Sequence, residues 1–141
     1  MANKKEKQEM RNYLGAWVCE LANNLLDESE RVMTRSEAFR KAHLTRELLE
    51  RLGEGEVKFK YKKQNGDERT AHGTLTTGID PLFDNHEYKG KNIEKNYAED
   101  TTNFNYWDLD KHGFRTFSAL RLLEINEVRI ISCKQPLTEF V

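Results

Sequence analysis

The sequence predicts an α+β chain, with two N-terminal helices ahead of about five short antiparallel strands that form a small β-barrel. Three observations predict it. The apolar period switches from three-and-four to two at Glu56. Asn65-Gly66, a strong hairpin signal, stands directly after the first alternating run. A second aromatic hairpin, NYWDLDKHGFRTF, follows a long polar connection. With 141 residues, 37% of them hydrophobic, the chain has material for one core of modest size.

The first element is an amphipathic helix over residues 6–27. Met10, Leu14, Trp17, Leu21 and Leu25 recur at helical spacing, and Tyr13 and Val18 widen the stripe. DESE then breaks the pattern, so residues 1–33 read as helix and linker and residues 34–133 as a second helix plus the barrel. Thr34 and Glu37 have capping-box spacing. Ala38, Ala42, Leu48, Leu49 and Leu52 give that helix a buried side, and Gly53 a C-terminal stop. A DNA-reading helix-turn-helix is disfavoured, because DESE offers an acidic approach to a phosphate backbone.

In the first strand Val57, Phe59 and Tyr61 alternate with Lys58, Lys60 and Lys62. The return strand puts Ala71, Gly73 and Leu75 on one side and Thr70, His72 and Thr74 on the other. Residues 76–103 are irregular, with room for a short strand or helical turn near Ile93 to Tyr97; a structureless connection of that length is usually functional or disordered. Phe104 to Leu109 and Phe114 to Phe117 form the second hairpin, SALRLLEI a one-turn helix or bend, and EVRIISC the last strand. Residues 134–141 read as a tail in which Phe140 and Val141 could dock.

Charge nearly cancels, 23 basic against 24 acidic side chains, which argues against nucleic-acid binding driven by net charge. It is unevenly spread: residues 76–110 carry eight acids and three bases. Cys19 and Cys133 lack metal or redox spacing, so free thiols in a reducing cytoplasm are expected. No membrane span, signal peptide, phosphate loop or catalytic motif is recognisable, and neither an enzyme nor a cofactor is expected. Asp80, Asp84, His86 and Glu87 lie close in sequence, but their spacing matches no metal motif.

EVKFKYKKQNGDERTAHGTL and YWDLDKHGFRTFSALRLLEI, with the lead-in SEAFRKAHLTRELLERL, resemble a family of small bacterial proteins without an assigned reaction. That family has an SH3-like (Sm-like) β-barrel fold and is classed as a second type of WYL domain. The matching residues are Gly66, Arg69, Ala71, Gly73, Thr74 and Leu75, then Tyr106, Asp108, Arg115, Thr116 and Phe117, within residues 36–131. The naming tripeptide itself is replaced by Tyr106-Trp107-Asp108-Leu109. The resemblance implies a ligand-sensing module that takes nucleic acid or nucleotides through basic and aromatic side chains; as a likeness of fold it is a weak guide to function.

Two surfaces supply candidates. Lys58, Lys60 and Lys62, with Lys63 and Arg69 nearby, form a row that can track phosphates; the same alternation also keeps a sheet edge solvated. Tyr106, Trp107 and Arg115 form the second. Strand parity predicts one of the two aromatics buried and the other exposed, with Trp107 and Arg115 together on one face as a clamp for a planar ring. His72 joins this expected ligand-binding set. The expected partner is single-stranded nucleic acid or a nucleotide. The alternative is a protein partner, or a second copy, docked on residues 6–27 through Trp17 and Leu21.

Overall fold

The computed structural model describes the backbone of residues 4–131 and side chains from Gly15 onward. The side chains of Met10, Tyr13 and Leu14 of the expected stripe, and the whole of Cys133, Phe140 and Val141, lie outside the described part of the chain. Helix α1 spans Lys4–Glu28 and α2 Arg35–Leu52. Thr34 caps α2 as the sequence predicts, its Oγ1 accepting the Glu37 N–H at 3.1 Å, which is one half of the expected capping box, and the Gly53 N–H reaches the carbonyls of Arg51 and Leu49. Val18, Leu21, Ala22, Leu25 and Leu26 of α1 are buried with the apolar side of α2, and the Trp17 ring meets Phe104 at 6.2 Å. From Trp17 onward the first helix thus turns its apolar residues inward, packed chiefly on α2.

Five strands follow, β1 (Gly55–Lys62), β2 (Glu68–Thr74), β3 (Asn103–Asp108), β4 (Gly113–Ser118) and β5 (Leu122–Ile130), in the spatial order β4-β3-β2-β1-β5. Neighbours are antiparallel, and β4 and β5 are left as edges, so the sheet does not close. The β1–β2 turn is a three-residue loop in which Gly66 takes φ 92°, the left-handed position that such loops require. Gly73 is demanded by packing instead: a Cβ there would stand 2.6 Å from Tyr106 Cδ2. Strand β5 begins earlier than expected. Only Ala119–Arg121 form the 3-10 turn, and pairing with β1 starts at Leu122 and crosses two register shifts that bend the strand.

The β3 strand is covered on both faces. Tyr106 packs with Phe59, Tyr61 and Phe117 in the main core, its hydroxyl 2.9 Å from that of Tyr61. Trp107, pointing oppositely, packs with Phe83, His86 and Phe114. This second cluster exists because residues 76–103 are ordered, with α3 (Pro81–Asp84), α4 (Lys89–Glu94) and a 3-10 turn at Lys95–Tyr97. Asn96 pins the segment by pairing with the backbone of Asn105 through both amide atoms, at 2.7 and 3.0 Å. The expectation that one of Tyr106 and Trp107 is exposed is therefore corrected: they are 0% and 1% exposed. Parity sent them to opposite faces, and the connection supplied a roof for the second.

Candidate anion-binding groove

At the open end of the β1–β2 hairpin, where β4 curls over it, lies a groove of about 550 Å³. Among the described residues its charged lining is Lys62, Lys63, Arg69, Arg115 and Arg121, with no acidic side chain, over a floor of Tyr61 and Phe117. Strand register explains the convergence. Arg69 is the cross-strand partner of Tyr61, and Arg115 of Tyr106, so both guanidinium groups stand on the core-facing side at the mouth of the curled sheet.

Asp108 holds them there. It is 1% exposed, and its Oδ1 accepts the backbone N–H groups of Asp110 and Lys111 at 2.8 and 3.0 Å. Arg69 Nη2 donates to Oδ2 at 3.0 Å, and Arg115 Nε stands 2.8 Å from the same oxygen without the alignment of a hydrogen bond. Burial pushes the Asp108 carboxyl up, but the two backbone N–H groups, Arg69 and Arg115 outweigh it and hold it below the usual carboxylate range. One carboxylate thus fixes two guanidinium groups and neutralises one. Among the described residues neither Arg69 Nε nor Arg115 Nε, both buried, has a hydrogen-bond partner.

The field extends along the rim. Lys41, which donates to the Leu122 carbonyl, is pushed below its ordinary range by burial and then by the positive charges of Arg40 and Lys62. Lys62, Lys63 and Arg121 have no ion-pair partner among the described residues. This splits the expected lysine row. Lys58 pairs with Glu127 at 3.5 Å, and Lys60 lies between Glu68 at 3.8 Å and Glu124 at 3.6 Å. Only Lys62 reaches the groove.

The remaining candidates go elsewhere. His72 is the cross-strand partner of Lys58 on the outer face, near Glu56 at 3.5 Å and Asp110 at 3.8 Å. Trp107 faces Phe114 across the hairpin, so Trp107 and Arg115 lie on opposite faces, which corrects the expected clamp. Asp80 accepts from Trp107 Nε1 at 2.8 Å, Asp84 from the Gly78 N–H at 3.0 Å, and His86 Nδ1 from the Tyr88 N–H at 3.1 Å. Three of the four residues of that cluster are thus spent on building the roof, and Glu87 is exposed. Sequence reasoning missed Arg121 and the anchoring role of Asp108; the signal for the latter was its position two residues ahead of the turn amide it binds.

Among the described residues no helix is long and apolar enough to cross a membrane. No curated protein and no solved structure matches the chain. The model of the WYL_2 family, described as having an Sm-like SH3 β-barrel fold, matches residues 45–123, which include α2 from Thr45, strands β1 to β4, and Asp108 with both its arginines. Spanning more than half of the sequence, that match places this chain in the WYL_2 family, one of binding and regulatory domains.

Proposed function

We propose that the protein is a non-enzymatic binding module whose ligand is single-stranded nucleic acid or a nucleotide, held by its phosphates in the Lys62, Lys63, Arg69, Arg115 and Arg121 groove. The observation that carries this reading is the charge arrangement: five cations line one concavity, and the single carboxylate behind them is buried. A fold with near-zero net charge gains nothing in stability from gathering like charges at one mouth, since they repel. An incoming polyanion relieves that repulsion and releases its own counterions. The acidic stretch of residues 76–110 puts no described carboxylate into the groove lining; Asp108 is paired inward and Asp80 is occupied in the roof.

The protein-docking alternative through Trp17 and Leu21 loses support, since Leu21 is 3% exposed and Trp17 rests on Phe104 within the same chain. Fluorescence anisotropy with labelled single-stranded DNA, RNA and nucleotides over a salt series tests the proposal. Binding should weaken as salt rises, by about 0.7 in log K per log salt for each phosphate neutralised. Affinity that ignores salt, or no binding to any of these ligands at low salt, would sink it.

A further inference from the structure

We propose that Arg69 and Arg115 form a seat for a terminal phosphomonoester, so that the groove takes a phosphorylated strand end rather than the middle of a chain. This rests on the nucleic-acid reading above and deepens it. Among the described residues the groove offers no aromatic face to a base: Tyr61, Tyr106 and Phe117 are 5%, 0% and 1% exposed. Stacking, the usual source of sequence-tolerant affinity for single strands, is closed off, and recognition falls to charge.

The cations are of two kinds. Arg69 and Arg115 are recessed, their side chains 22% and 35% exposed, and Asp108 holds them in place before any ligand arrives. Lys62 and Lys63 stand exposed on the rim. A recessed pair of planar donors, held side by side on one carboxylate and both lining the groove, suits a compact anion with several acceptor oxygens. A phosphomonoester carries about −1.5 to −2 charge and three such oxygens, while a phosphodiester carries one charge. The rim lysines, mobile point charges, suit the diester phosphates that follow.

The test compares one single-stranded oligonucleotide in three forms, with a 5′-phosphate, with a 3′-phosphate and with neither, by anisotropy at fixed salt. One phosphorylated form should bind about tenfold more tightly than the phosphate-free form, the scale of an added charge-assisted hydrogen bond. That preference should shrink between pH 7.5 and 5.5 as the monoester dianion takes up a proton, near pH 6, and becomes a monoanion. Arg69→Lys and Arg115→Lys, which keep charge but remove the fork, should abolish it; Arg121→Ala should weaken all three forms alike. Equal binding of the three forms by the unaltered protein overturns the seat and leaves the groove reading standing. Absence of binding by any form overturns both.

Discussion

Asp80 and Asp108 are both buried carboxylates serving the β3–β4 hairpin, and they do opposite things with their charge. Asp80 lies beneath the roof, 6% exposed, and accepts from Trp107 Nε1, the Leu82 N–H and, at 2.7 Å, the His112 ring at Nδ1. Each of these partners belongs to the roof or to the hairpin beneath it, so Asp80 joins two pieces of the chain and leaves no charge pointing outward. Asp108 satisfies one oxygen within its own turn and spends the other on two guanidinium groups, one more cation than it can neutralise. The first carboxylate completes a structure. The second stabilises an excess of positive charge at a surface, which makes it the better marker of a binding site.

The sharpest way to break that contrast is Asp108→Ala. It leaves two half-buried guanidinium groups facing each other without a counter-charge and removes the acceptor for two turn amides. A loss of about 3 kcal/mol is expected in urea denaturation, the lower end for breaking a buried pair because both arginines keep some water. Asp80→Asn should cost less, about 1 to 2 kcal/mol, because the amide oxygen can still accept from the Trp107 indole. Near-UV circular dichroism should report loosened packing around Trp107 while affinity for oligonucleotide stays unchanged. If Asp80→Asn weakened oligonucleotide binding, the division of labour between the two carboxylates would be wrong.

Acid probes both at once. Burial pushes the Asp80 carboxyl up, but its hydrogen bonds from Trp107, His112 and Leu82 outweigh it and, as at Asp108, leave it below the ordinary value of 3.8. In that range the unfolded chain binds more protons than the folded one, so stability falls as pH falls. The contribution is complete above the unfolded value and is lost as pH drops through the lowered folded values. Thermal melts should therefore show a Tm that declines steeply below about pH 4. The decline should be shallower in Asp80→Asn, which retains only the Asp108 part. An equally steep decline in that variant would remove Asp80 from the account.

The same contrast marks where sequence reasoning reached. Both helices, their caps and both hairpins were legible, because Thr34, Gly53, Asn65-Gly66 and the alternation of Val57, Phe59 and Tyr61 act over a few residues. In residues 76–103 the helical turn near Ile93 to Tyr97 was legible as one of two options, but the rest was not, since its order depends on distant partners: Asn96 on the backbone of Asn105, and Asp80 on Trp107. The parity argument for β3 was sound as geometry and failed only because nothing local says that a second face will be roofed. The site divides in the same way. The cations were visible as residue types, but which of them keep their charge free depends on Glu124 and Glu127, brought beside β1 by the bent β5.

That last point yields the smallest and most selective prediction. Lys58 and Lys62 are both exposed lysines on the outer face of one strand, with no local feature to tell them apart. Lys58 faces Glu127, and such exposed pairs contribute little, so Lys58→Ala should change stability by only about 0.3 kcal/mol. It should leave both oligonucleotide affinity and its salt dependence intact, because that charge is compensated and turned from the groove. Lys62→Ala should be equally mild for folding. Yet it should weaken binding at low salt and flatten the salt slope by about 0.7, the loss of one phosphate contact on a single strand. Equal effects of the two substitutions on binding would mean that the ligand runs along the outer lysine face, and that Asp108 merely steadies two arginines. A difference confined to Lys62 ties affinity to the mouth of the sheet, where unneutralised charge rather than the count of lysines decides what binds.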